Sequence, residues 1–461
     1  MRKDTSAEPS ATTPQSFLGC MNYFLTPQVW KQAHQTMRCL DRARWRAQSL
    51  LFVLLMMTWC SGESIPERFE AARAFYVACF QKRRRPGKTF EGWQKALTRV
   101  PCAALRAVAA ALRTRLEQVF ASRWLVDGFI PLGCDGSRLQ CPRSQELEER
   151  LPSKRKKKRK ANNYEKQPPQ IWVTALVHLS LGVLWSWRLG KGNASERHHL
   201  IELLATLPRR ALLIADAGYI GYELLKRLVQ NEVFFLIRLS SQAPLYSPNR
   251  VALKPFRDGV FYYWPLKEQQ QKQPPIRVRV LRIRCRKKKD VWLMTNVFDA
   301  AQLSLPSASR FYRWRWRNEG LFRTYKRTLG KVKLMSRTVA TVHREAEGSL
   351  LATQLLLAQG ALTVPVAPNL PPVLPSPRSI VLEIRIEIRN ITGMYLGPRQ
   401  KRTYRERLRR IRNDQRRGRR DKERRPWPGR KPHKPPSPPR IQRMGTILKG
   451  LAEQMLGFAV T

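Results

Sequence analysis

Apolar residues recur at helical spacing in Gln28–Leu40, Arg46–Cys60, Ile65–Gln81, Phe90–Leu97 and Cys102–Phe120, with breaks such as Pro86–Gly87 between them. Residues 1–125 are therefore predicted to form an all-helical N-terminal domain. From Phe129 the period changes. Phe129–Leu139 reads as a strand, and Ile171–Ser180 with Gly182–Leu189 as a hairpin, because two β-rich runs stand almost back to back. Ser195 is placed to cap a helix that runs to Leu207 and stops at Pro208. Ala211–Ala215 is a short, wholly apolar strand of the kind buried on both faces. Gly221–Gln230 follows as a helix and Val233–Leu239 as another strand.

Strand, strand, strand, helix, strand, helix, strand describes a mixed α/β sheet that starts antiparallel and ends with parallel crossovers. This is the order of the ribonuclease-H-like nuclease fold, predicted here over residues 126–362. Gly259–Trp264, Ile276–Cys285 and Val291–Thr295 alternate like antiparallel strands, predicting a β-rich insertion at about 240–301. A strong helix is expected from about Ser309 to Leu329 and another from Arg344 to Ala361. Residues 363–378, with the prolines of Pro365–Pro377, read as a linker. Ser379–Ile388 alternates apolar and charged residues as an edge strand does. Arg399–Arg440 is too poor in apolar residues to bury a core, so residues 379–461 are expected to be a basic, largely disordered region closed by an amphipathic segment, Ile447–Phe458.

Charge narrows the function. Of 461 residues, 87 are Lys or Arg and 33 are Asp or Glu, a formal charge of +54. Such an excess repels itself in the folded state and points to a polyanionic partner, nucleic acid before an anionic membrane surface. It says nothing of chemistry, since chromatin-like proteins are basic without being enzymes. The clusters Lys82–Lys88 and Lys154–Lys160 suit this reading, the first making the helical domain a candidate for DNA recognition, with a helical cap on the next domain as the alternative, and the second a solvated loop that meets DNA non-specifically. The eight cysteines contain no Cys-x-x-Cys pair, and His198–His199 has no cysteine near it, so the spacing offers no zinc site and suits reduced, buried thiols. Leu50–Trp59 is far shorter than the ~20 residues of a membrane span. It also lies too far from the N-terminus for a signal peptide. A cytoplasmic protein with no membrane partner is expected.

Two aspartates follow apolar strands, Asp135 after Pro-Leu-Gly-Cys and Asp216 after Leu-Leu-Ile-Ala. On neighbouring strands ~4.8 Å apart they would raise each other's pKa unless a cation sat between them. Each also has a plain structural explanation, Asp216 as a helix N-cap and Asp135 as a turn residue before Gly-Ser. On the helix expected at 309–329, Tyr312, Arg315, Glu319 and Lys326 fall within about 60° of arc, beside an apolar arc of roughly 100° that includes Phe311, Trp314 and Leu321. Glu319 could equally be one half of a surface ion pair with Arg315 or Arg323.

Tyr-x2-Arg-x3-Glu-x6-Lys at Tyr312, Arg315, Glu319 and Lys326 resembles the YREK signature of bacterial insertion-sequence transposases of the "insertion sequence four" family. Cys134-Asp135-Gly136-Ser137 resembles that family's first aspartate motif and Asp216-Ala217-Gly218-Tyr219 its second. Phe235-Leu236-Ile237-Arg238 and Leu293-Met294-Thr295-Asn296 resemble the strands that flank its β-insertion, so the likeness covers about residues 125–360. The resemblance implies a DNA transposase with a DDE triad of Asp135, Asp216 and Glu319 holding two Mg2+ ions, with Mn2+ as a substitute. It also implies that Tyr312, Arg315 and Lys326 contact phosphates of double-stranded DNA, and that a homodimer pairs two transposon ends in the nucleoid-associated bacterial cytoplasm. Trp316, on the side of Arg323 and Arg327, could stack on an unpaired base or pack on the insertion. The alternatives are a structure-selective nuclease of the same fold, or a domesticated DNA-binding protein without catalysis. The charge predicts that duplex affinity, titrated at several salt concentrations, falls by orders of magnitude from low to moderate ionic strength; a flat response would remove phosphate binding from the account.

Overall fold

Residues 14–37, 43–153, 167–253, 255–285, 290–364, 374–393, 402–414 and 438–460 are described by a computed structural model. The Lys154–Lys160 run, most of the proline-rich linker and most of Arg399–Arg440 lie outside them. The chain divides into two units, one of residues 1–119 with 340–419, the other of 120–339 with 420–461. The helix expected at Arg344–Ala361 thereby joins the N-terminal helices and not the sheet-bearing unit.

The first unit is helical among its described residues. It contains α1 (Phe17–Phe24), α2 (Pro27–Met37), α3 (Ala47–Trp59), α4 (Ile65–Cys79), α5 (Phe90–Thr98) and α6 (Cys102–Val119). The run that looked too short for a membrane is α3, apolar on every side and buried almost throughout because other helices surround it. Among the described residues no helix is long and apolar enough to cross a membrane. The chain returns to this unit as α13 (Val339–Ala361), α14 (Pro377–Ile391) and α15 (Tyr404–Asp414).

Ser379–Ile388 is therefore a helix and not an edge strand. Ile380, Val381, Ile384 and Ile388 are buried, a helical spacing. Glu383 and Glu387, one turn apart, both pair with Arg407 of α15, whose Nε donates to Glu383 Oε2 at 2.6 Å. Tyr404 of α15 donates to Gln359 Oε1 at 2.9 Å and packs edge-on against Phe17. These helices show that residues 379–391 and 404–414 are folded, contrary to expectation. The apolar residues of this stretch suffice once they are shared with the N-terminal helices.

The second unit is a mixed α/β layer built on one sheet of ten strands among the described residues, ordered β10-β6-β7-β8-β9-β5-β4-β1-β2-β3. Its first part contains β1 (Ile130–Gln140), the short α7 (Gln145–Arg150), β2 (Gln170–His178), β3 (Val183–Lys191), α8 (Glu196–Leu203), β4 (Ala211–Ala215), α9 (Tyr222–Gln230) and β5 (Phe234–Arg238). β1, β2 and β3 are antiparallel neighbours, whereas β4 lies parallel to both β1 and β5. Ser195 occupies the N-cap of α8 but its side chain makes no capping bond, and the helix passes into a 3-10 turn at Leu204–Thr206.

β6 (Leu245–Ser247), β7 (Asp258–Tyr263), the short α10 (Leu266–Gln270), β8 (Ile276–Ile283) and β9 (Val291–Thr295) form the predicted insertion. It is not a separate sheet. β9 pairs antiparallel with β5, Ile237 opposite Met294, so the insertion continues the main sheet beyond β5. Arg279 of β8, only 2% exposed, forms a bidentate pair with Asp258 and donates to the carbonyls of Val297, Asp299 and Leu303 at 3.0–3.3 Å. One insertion side chain thus fixes the loop leading into α11 (Leu305–Trp314), which Ser304 caps by accepting from Ser307 N. α12 (Trp316–Arg323) and a π-helical turn at Thr324–Thr328 follow, so the single helix expected at 309–329 is three pieces.

At the far edge, β10 (Ile441–Arg443) pairs in parallel with β6, and α16 (Thr446–Leu456) completes a cluster in which Met444, Ala452 and Val460 pack with Tyr262 and Trp264. Truncation after residue 437 is expected to lower the melting temperature and raise binding of a hydrophobic dye, because it bares that cluster and an unpaired strand edge. An unchanged melt would show that the C-terminal segment merely rests on the sheet.

Candidate active site

β1 leaves the core at Asp135. Ile130–Cys134 are buried and Asp135–Arg138 half-buried, so the carboxylate stands within the strand and not at its end. Its Oδ1 accepts from Gly136 N at 2.8 Å. Asp216 directly follows β4 and caps the 3-10 turn Ala217–Tyr219, Oδ1 accepting from Gly218 N at 2.8 Å. The capping role is real, yet it occupies only one carboxylate oxygen. In the parallel β1–β4 register Gly133 lies opposite Ile214. The same offset carried two residues further would set Asp135 beside Asp216, and Asp135 does feel the charge of Asp216.

Glu319 arrives on α12. A Cβ on Gly133 would come within 2.6 Å of the Asn318 amide, so the glycine is what lets the helix close on β1. Side chains alternate along a strand, and Gly133 and Asp135 therefore share the face that α12 covers. The bonds Arg315 N to Tyr312 O and Asn318 N to Arg315 O tighten the helix at Arg315, while the π-helical turn loosens it after Arg323. Asn318 is wholly buried with neither amide atom hydrogen-bonded.

Arg315 is 8% exposed, stacks between Tyr312 and Trp316, and approaches Glu319 Oε1 to 3.7 Å. Tyr312 faces Arg315, Arg238 and Asp216, and burial pushes its phenol up. Lys326 is half-buried, held down by burial and by Arg138. Trp316 is 61% exposed, and Arg323 is exposed as well. Arg317, by contrast, turns inward and donates to the carbonyls of Leu179 and Ser180, so it serves the fold.

Burial, with Asp216 and Glu319 nearby, pushes the Asp135 carboxyl up to about 6, partly offset by its bond from Gly136 and by Arg315. Asp135 feels both Asp216 and Glu319, but among the described residues no three acidic, histidine or cysteine side chains stand close enough to hold one ion between them. The donor chemistry nevertheless fits a hard divalent cation. The ligands are carboxylate oxygens, their mutual repulsion is what a cation would relieve, and the Tyr312 hydroxyl and Asn318 amide beside them lack partners.

A fourth carboxylate escaped the sequence reading. Glu196, in the first turn of α8, is pushed up by burial and by both Asp135 and Asp216. The next residue, Arg197, donates to Gly218 O at 2.9 Å, tying that turn to the turn after Asp216. Tyr219, fully buried, lies beside Cys134 and Glu196 without closing a well-formed hydrogen bond. Its place in Asp-Ala-Gly-Tyr was the available signal; Glu196 looked like an ordinary first-turn acid.

The family description "Transposase DDE domain" matches residues 134–355, from the residue before Asp135 to beyond Glu319. The chain carries a transposase DDE domain. Its function is that of a DNA transposase, an enzyme that cuts and transfers DNA strands. No curated protein matches the chain. A cryo-EM structure of the piggyBac transposase synaptic complex with hairpin DNA matches over 86% of this chain and 85% of that chain, at 11% identity and a TM-score of 0.41, too loosely to bear on the site.

Because its carboxyl is raised in the folded transposase, ionised Asp135 burdens the native state above pH about 6. Below the ordinary value, ~3.9, it is protonated in both states and has no effect. Asp135→Asn should therefore raise the unfolding free energy of the metal-free protein by about 1–3 kcal/mol above pH 6. The gain should vanish near pH 4. Denaturant melts at both pH values check this, and a pH-independent difference would contradict it.

Proposed function

We propose that this transposase cuts and rejoins DNA at the ends of a mobile element of the YREK insertion-sequence group, with Asp135, Asp216 and Glu319 as its catalytic carboxylates. The observation that supports the proposal is the register: β1 and β4 lie parallel with an offset that, carried beyond Gly133 and Ile214, would set Asp135 beside Asp216, and α12 packs over Gly133 with Glu319 next to the contact residue. The strand order β3-β2-β1-β4-β5, antiparallel then parallel, supports a ribonuclease-H-like core over this part of the chain.

Asp135, Asp216 and Glu319 would hold two Mg2+ ions, or Mn2+ in their place, on the scissile phosphate. Bound there, the cations supply an activated oxygen nucleophile and charge stabilisation for the leaving oxygen. The chain's own residues do the rest. Arg315, buried and stacked between two rings, presents a fixed guanidinium for a phosphate oxygen next to the cut. Tyr312 has a hydroxyl free to bond a second oxygen, and Lys326 adds a point charge one turn beyond Arg323. Trp316 offers an exposed ring on which an unpaired base can stack. Glu196 adds negative charge behind the aspartates and so strengthens the site's preference for cations. Two copies pairing two ends, in a bacterial cytoplasm and close to the nucleoid, complete the reading.

Glu319→Gln, Asp135→Asn and Asp216→Asn should each bind end DNA as the wild type does and lose Mg2+-dependent strand cleavage by at least several orders of magnitude. Gel-shift and nick-mapping assays read the two properties separately. A variant that cuts at the wild-type rate would remove its residue from the triad.

A further inference from the structure

Away from the carboxylates, the helical unit holds a cavity of about 240 Å3 lined by Arg385, Arg389, Ser61, Thr392 and Cys60 among others, with no acid in its wall. It opens to solvent beside Ser61 and Arg389, both exposed. Arg385 reaches it from α14 and is anchored there, its Nε donating to Trp59 O at 2.8 Å. Arg68 of α4 is anchored in the same way, its Nε donating to Gly62 O at 2.8 Å. Trp59 closes α3 and Gly62 lies in the turn that follows, so one short stretch of chain fixes two guanidinium planes, whose outer amino groups have no partner among the described residues. Burial, with Arg68 and Arg389 as like charges, pulls Arg385 below the ordinary arginine value.

No acid lines the cavity. Glu67 stands beside Arg68 and stays ionised, its oxygens accepting from Glu63 N at 3.0 Å and Ser64 Oγ at 2.9 Å, so it offsets the charge of Arg68. α3 and α14 both end at the cavity, and each helix end brings only about half a negative charge. The two guanidinium groups in the wall, Arg385 and Arg389, therefore leave a net charge of about +1 there. The wall includes no aromatic ring on which a base or nucleoside could stack.

We propose that the cavity seats a phosphate of the DNA backbone, gripped by Arg385 and Arg389, and so holds duplex DNA on the helical unit without reading its sequence. Planar forks suit the two free oxygens of a phosphodiester, and contacts of this kind position DNA while base edges specify it. The inference rests on the DNA-transposase reading for its choice of DNA over a free anion.

The test compares the full-length wild type with Arg389→Gln, an exposed change, and with Arg385→Lys, which keeps charge but loses the fork. Binding to two unrelated duplexes is measured from low to moderate salt. Arg389→Gln should weaken both duplexes equally, by several-fold, and reduce the salt slope by about one. Arg385→Lys should weaken both with little change of slope. Wild-type affinity and slope in both variants would overturn the site while leaving the transposase reading intact. A wild type that binds no duplex would sink both. Inorganic phosphate that raises the melting temperature of the wild type but not of Arg389→Gln, with duplex binding unchanged in the variant, would make this a free-anion site and overturn the DNA assignment.

Discussion

Like charges are forced together at one margin of the sheet, and the catalytic account depends on that. The parallel β1–β4 pair leads Asp135 and Asp216 into each other's field, burial raises the Asp135 carboxyl, and Glu196 adds its field from α8. Left alone, such a group keeps a proton that an exposed carboxyl would release. The arrangement costs stability, as functional sites often do, and a cation is the natural means of relieving it.

Bringing the third acid to this margin is a mechanical problem that the rest of the second unit addresses. Glu319 rides on a helix whose start is fixed by Arg279, a residue of the insertion far from it in sequence. Its middle is seated on Gly133, and its length is interrupted at Arg315 and again at the π-helical turn. The insertion therefore acts as a brace for the glutamate helix, continuous with the sheet that bears the aspartates. Asn318, buried with both amide atoms unpaired, marks where this seat is least settled.

The elements easiest to read in the sequence were those whose periodicity has a single interpretation. Ala211–Ala215 had to be a strand buried on both faces, and α3 could only be an enclosed helix. Ser379–Ile388 misled because Ile384, Ile386 and Ile388 alternate with charges, as strand residues do. What decides between the two is Arg407, more than fifteen residues away, whose two glutamate partners must lie one turn apart. The site was legible where motif spacing named residues, and less so where it depended on tertiary neighbours. Nothing local to Glu196 shows that it faces two aspartates, and a straight-helix count over 309–329 could not foresee two interruptions.

Convergence of the carboxylates is tested most directly by replacing Mg2+ with Fe2+ in the protein–DNA complex and mapping where locally generated hydroxyl radicals cut the polypeptide. Cuts clustered around residues 135, 216 and 319, suppressed by excess Mg2+, are the predicted result. Cuts confined to other parts of the chain, or insensitive to Mg2+, would contradict the account.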